Sequence, residues 1–163
     1  MILKAVDARD IDFAPYGRLL NMCEGGEGLH YTDTPDYTDV CTGQPVIDTL
    51  ASLGCTKSCG VPFTAQEMER HFHTQEVQMP ADQPIVFLVA PASEAPRPHA
   101  KDVQAVIVPK GYVAVLERGV WHSASHGLYS EGRYYWMANV YRGEPTEWQP
   151  IEGGPVTVEA PEK

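Results

Sequence analysis

Fourteen prolines and fourteen glycines are scattered along the 163 residues and cut the apolar sequence into short runs. Proline removes a backbone donor and glycine weakens a helix, so long regular elements do not survive such punctuation. Many short strands joined by turns fit instead, which means a β-sandwich or β-barrel. Ile85-Val86-Phe87-Leu88-Val89-Ala90 is continuously apolar, as a strand buried on both faces is. Further strands are predicted at Leu3–Val6, Arg18–Asn21, Ala51–Thr56, Pro62–His73, Val103–Val108, Tyr112–Leu116 and, strongly aromatic, Arg133–Tyr141. Residues 23–45 read as an irregular loop and Pro45–Leu50 as a short helical turn. A single domain is expected over 1–163, with about 143–163, rich in Pro and Glu, as an extended surface tail. Strands do not alternate with long helices, which argues against a doubly wound α/β fold. No GxGxxG, P-loop or GxSxG motif is present, so no nucleotide cofactor is expected.

The net charge of −10 makes nucleic acid and anionic membrane poor partners. It leaves room for a small anionic substrate, because a few local cations outweigh a distant field. No apolar run approaches the ~20 residues of a membrane span, and the N-terminus lacks a signal-peptide pattern, so a cytoplasmic protein is expected. The four cysteines, Cys23, Cys41, Cys55 and Cys59, are then expected to be reduced and to pack as small apolar groups. Cys55 and Cys59 have a spacing seen in some zinc sites, but no second pair follows at a matching distance.

The stretch from Glu67 to Glu76 holds three carboxylates, two histidines and an arginine. In an extended strand, Glu67, Glu69, His71 and His73 share one face, and Gln66, Met68, Arg70 and Phe72 the other. A row of ionisable groups is not an apolar core, so that face meets solvent or lines a site. His122 follows some fifty residues later, beyond two apolar strands, and a barrel can bring it to the same cavity. His71, His73 and His122, with Glu76, form the candidate metal set, suited to Zn, Ni, Mn or Fe(II). Strict alternation turns Glu76 away from His73, so a bulge or turn near Thr74-Gln75 is needed to re-aim it. Glu69 already lies on the right face and is the candidate base, with His122 as its catalytic companion. Arg70 and Trp121 are candidate substrate contacts, although Arg70 also suits a structural ion pair. The run Tyr134-Tyr135-Trp136 is assigned to core packing.

Val61-Pro62-Phe63-Thr64-Ala65-Gln66-Glu67-Met68-Glu69-Arg70-His71, Met79-Pro80, Phe87-Leu88-Val89-Ala90-Pro91 and Gly119-Val120-Trp121-His122 resemble the ureidoglycolate lyase family, as does Phe13-Ala14-Pro15-Tyr16-Gly17 near the start. The resemblance implies a cupin-type β-barrel, a cytoplasmic homodimer, and cleavage of ureidoglycolate to urea and glyoxylate, with nickel among the metals associated with the family. The chain departs from the pattern after Arg70-His71. Where the family usually has Pro-x-Gly/Ser-x-Gln, this sequence has Phe72-His73-Thr74-Gln75-Glu76. Leu116-Glu117 stand where Tyr-His is common. Cys55 falls where many members carry an arginine, and Lys57, on the same strand face, is the candidate replacement contact for a substrate carboxylate. The added His73 and Glu76 also fit a metal-dependent cupin isomerase or epimerase of a sugar or hydroxy acid, and a non-catalytic ligand-binding cupin is a third reading.

Overall fold

The computed structural model describes residues 1–140 and 147–161. The chain is almost entirely β, a cupin-type barrel of two facing sheets. One sheet runs in the order Glu147–Pro150, Glu67–Arg70, Trp121–His122, Ile85–Ala90, Gln104–Val108, Val6–Asp7, with His126–Gly127 also pairing to Ile85–Ala90. The other runs Gly17–Asn21, Tyr112–Leu116, Glu76–Pro80, Gly132–Ala138, Ser52–Ser58. Short helical turns occur at Ala8–Asp10 and Ala100–Asp102. Among the described residues no helix is long and apolar enough to cross a membrane.

The apolar run Ile85–Ala90 is buried at every position. Ile85, Phe87 and Val89 pack between the sheets against Ala114, Leu116 and Tyr134. Val86, Leu88 and Ala90 point the other way, into a layer with Phe63, Met68, Trp121, Val156 and Val158. Burying a side chain of this size contributes roughly 1.5–3 kcal/mol, so this strand anchors both layers.

Three local expectations are corrected. The segment 23–45 is not wholly irregular: Leu29–Asp33 and Thr38–Thr42 form a hairpin. Its turn is closed by the Thr34 hydroxyl, which accepts from the amides of Asp36 and Tyr37. The 45–50 segment makes bends and no helix. The supposed tail, where it is described, is built into the sheets. Val156–Glu159 lies between Ile2–Lys4 and Phe63–Ala65, and Glu147–Pro150 pairs with Glu67–Arg70. The reason is the alternation Val156-Thr157-Val158-Glu159, whose two valines are fully buried. The proposed strand end at Tyr141 and the start of the tail at about 143 lie outside the described residues.

Candidate active site

The predicted strand Pro62–His73 breaks in two and ends at Arg70. Along Glu67–Arg70 the pleat behaves as expected: Met68 and Arg70 are buried on one side and Glu69 faces the barrel interior. Residues 71–75 then form an irregular crossing, and Glu76 opens a strand of the opposite sheet. This crossing supplies the turn needed near Thr74-Gln75 and aims Glu76 inward. The Gly119 amide donates to the His71 carbonyl at 2.8 Å and ties the crossing to the turn that precedes Trp121-His122. Gly119 adopts φ +78°, a left-handed conformation that glycine accommodates without strain. His122 sits directly across from Glu69 in the ladder.

Glu69, His71 and Glu76 line a cavity of about 420 Å³, and the buried His122 converges with them in a four-residue cluster. Each offers one ligand atom, and all four atoms lie within 4.8 Å of one another. His71 Nε2 is 2.9 Å from Glu76 Oε2 and 3.9 Å from Glu69 Oε2. His122 Nε2 is 3.4 Å from Glu76 Oε2 and 3.5 Å from Glu69 Oε1. The Nδ1 of His122 donates to the Val120 carbonyl at 3.1 Å. In the neutral ring this places the lone pair on Nε2, a buried atom with no hydrogen-bond partner. Two carboxylates and a lone pair facing one another require a cation between them. A metal with ligand distances of about 2.0–2.2 Å holds its donors roughly 3–3.5 Å apart, which matches the His122 contacts. A mixed imidazole and carboxylate set suits Zn, Ni, Mn or Fe(II), so these residues fit a divalent ion.

Without metal, a proton serves as that cation. Burial alone lowers the His122 imidazole, but the charge of Glu76 and polar contact with Glu69 and Glu76 outweigh it and raise the group to about 10. Burial alone raises the Glu76 carboxyl, but the charge of His122 and contacts from His122 and His71 hold it well below the usual carboxylate range.

The other expected residues fall elsewhere. His73 lies on the cavity wall but outside the cluster, with its Nε2 2.8 Å from the Asn139 carbonyl oxygen. It leaves the predicted face because strand alternation stops at Arg70. Arg70 and Trp121 are buried in the layer behind the sheet, away from the cavity that Glu69, His71 and Glu76 line. The guanidinium lies 4.1 Å from the Trp121 ring and 4.5 Å from that of Phe72, and donates to the carbonyls of Ser93 and Ala95. Such a stacked, hydrogen-bonded arginine stabilises the 91–98 loop. Lys57 is on the outer face of its strand and pairs with Glu131 at 2.6 Å, while its neighbour Thr56 lines the cavity. Cys55 shares that outer face, and all four cysteines are free and exposed, so none is a packing residue. Lys57→Ala is accordingly expected to change stability by no more than about 0.5 kcal/mol and to leave metal affinity and turnover unaltered, as thermal unfolding and steady-state assay would show.

The sequence reading missed several wall residues. Tyr134 and Trp136, assigned to core, line the cavity, as does Trp148 from the supposed tail, which pairs across from Glu69. The Trp136 indole lies over Gly54, where a Cβ would collide with it, and donates to Thr56 Oγ1 at 3.2 Å. Burial raises the Tyr134 phenol, opposed by hydrogen bonds from the Ser125 amide and the Thr56 side chain. Period-two alternation in Gly132–Ala138 puts Tyr134 and Trp136 on one face, but not which face is inward.

The match to known proteins agrees with this geometry. A family model described as ureidoglycolate lyase covers residues 2–152. The chain belongs to the ureidoglycolate lyase family. A relative from Azotobacter vinelandii, named ureidoglycolate lyase, is 29% identical over 119 residues, 68% of either chain. In this member of the ureidoglycolate lyase family, a carboxylate at Glu76 completes a four-donor cluster.

Proposed function

We propose that the protein is a metal-dependent carbon–nitrogen lyase that splits ureidoglycolate, or a close carbinolamine relative, into glyoxylate and urea. The observation that most supports this is the buried Nε2 of His122 facing two carboxylates across a cation-sized gap, in a chain of this family. When bound, a divalent ion would polarise the substrate hydroxyl and neutralise its carboxylate. His71, Glu76 and His122 would hold it. Glu69 has the longer contacts to both imidazoles and the more open position of the two carboxylates, which suits it to take the hydroxyl proton. As the carbon–oxygen double bond forms, the carbon–nitrogen pair leaves on the urea nitrogen. The Tyr134 hydroxyl is the candidate donor to that nitrogen and is restored by the proton Glu69 has taken. One proton passes from oxygen to nitrogen overall, and the step is redox-neutral.

Metal-loaded protein given racemic ureidoglycolate is expected to release urea and glyoxylate in equal amounts; no release overturns the proposal. Tyr134→Phe is expected to fold normally and to lower turnover by about 10²-fold with little change in metal affinity. The same reading carries a small anionic substrate, a homodimer and a cytoplasmic setting as proposals, the second checked by light scattering.

One observation favours a second reading. Among the described residues, the cavity wall carries no Lys or Arg to hold a substrate carboxylate. Together with Glu76, this suits a metal-dependent cupin isomerase or epimerase acting on a sugar or hydroxy acid, whose binding would rely on the ion and the aromatic wall.

A further inference from the structure

Glu76 has two carboxylate oxygens, and only Oε2 faces the imidazoles of His71 and His122. The other, Oε1, lies 3.1 Å from Nε2 of Gln78, two residues along the same strand and hence on the same face. Gln78 is 1% exposed. A buried amide at this position has two possible orientations, and chemistry decides between them. An ionised carboxylate only accepts, so the amide must present its NH2 to Glu76. Its carbonyl then faces Ser125, whose hydroxyl donates to Gln78 Oε1. Ser125 is itself fully buried, and its carbonyl accepts from the Ser58 hydroxyl. The hydrogen bonds run in one direction, from Ser125 to Gln78 to Glu76. None of these contacts is needed to build the sheet, whose strands are paired through the backbone.

We propose that Gln78, held by Ser125, is a positioning residue that ties down Oε1 of Glu76 so that the carboxylate offers Oε2 alone to a divalent metal. This rests on the four-donor cluster being a metal site. A carboxylate held by one oxygen cannot swing to chelate the ion with both, and the rotational freedom of a ligand is removed before the ion arrives. Outer hydrogen-bond partners of this kind typically change metal affinity by about 10–100-fold. Gln78 would therefore set both the affinity and the geometry of the site without touching substrate.

Co(II) is the probe, because its visible absorption reports coordination number and its affinity can be measured against a coloured chelator. Wild-type protein, Gln78→Leu, Ser125→Ala and the double variant are compared, with circular dichroism of each metal-free form to check the fold. Wild type should bind one Co(II). Gln78→Leu should bind it about 10–100-fold more weakly with a changed absorption band. Ser125→Ala should show a smaller loss, and the double variant should be no weaker than Gln78→Leu, because Ser125 acts through Gln78. If Gln78 were only a structural residue, thermal stability would fall while Co(II) affinity and spectrum stayed as in wild type, and that result overturns the proposal. Should Gln78→Leu fail to fold, an unchanged affinity and band in Ser125→Ala overturns it. Failure of wild type itself to bind Co(II) overturns the metal site, and the positioning role with it, and is visible before any variant is made.

Discussion

His122→Ala is expected to weaken divalent-metal binding by about 10²–10³-fold. A structural zinc site is worth about 10–16 kcal/mol at neutral pH, so one ligand of three, His71, Glu76 and His122, accounts for at least roughly 3–4 kcal/mol, at ~1.4 kcal/mol per tenfold. The imidazole is 1% exposed and bridges the contacts to Glu69 and Glu76, so its loss is not made good by water from outside. The substitution also leaves the buried Glu76 carboxylate without its main counter-charge. Breaking a buried pair in this way costs about 3–5 kcal/mol, so the metal-free variant should unfold at a clearly lower temperature. Urea and glyoxylate release should fall below detection at metal concentrations that saturate wild type. Competition titration and calorimetric unfolding of the same preparation check both parts. A variant that binds metal as wild type does would remove His122 from the ligand set.

One physical cause explains why the fold brings His122 into the four-residue cluster and leaves His73 outside it. Trp121-His122 follows a turn at Gly119 and pairs in register with Glu69, so a short apolar context fixed its place. His73 was placed by extending strand alternation past Arg70, where the backbone crosses from one sheet to the other. Period two says which residues share a face only while the strand lasts. That crossing is also the turn near Thr74-Gln75 that re-aims Glu76 into the cluster. The barrel was legible because Pro, Gly and short apolar runs are local signals. The face chosen by Lys57 and by Tyr134 was not, since both depend on which side of their strands meets the other sheet. The setting of Arg70 is not legible for a related reason: its partners, Trp121, Ser93 and Ala95, come from segments distant in sequence. The two strands of the C-terminal segment were hidden by its Pro and Glu content, although Val156 and Val158 carried the alternation.

Metal binding near neutral pH is expected to release about one proton per ion and to tighten as pH rises. The sign follows from the two central groups. His122 has a folded-state value raised to about 10 from an ordinary 6.5, so the metal-free protein holds its proton at pH 7. A metal ligand must be the neutral imidazole, so the ion displaces that proton. Between about pH 6.5 and 10, each unit of pH should strengthen the apparent affinity by close to tenfold, flattening above the folded value. Stability of the metal-free protein moves the other way. A histidine whose value is raised on folding contributes fully below about 6.5, and that contribution is lost as pH climbs towards 10. Glu76, held below its ordinary 4.5, contributes above that value and loses its contribution as pH falls through the acid range. Metal-free protein should therefore resist unfolding best between about pH 4.5 and 6.5. Saturating metal should shift that optimum upward, because the ion replaces the proton as the charge between Glu69, Glu76 and His122. Calorimetric titration in buffers of different ionisation enthalpy counts the proton, and unfolding scans with and without metal from pH 4 to 10 follow the shift. Equal affinity at pH 6.5 and 8.5, with no buffer dependence of the enthalpy, would show that His122 is not the group the metal deprotonates.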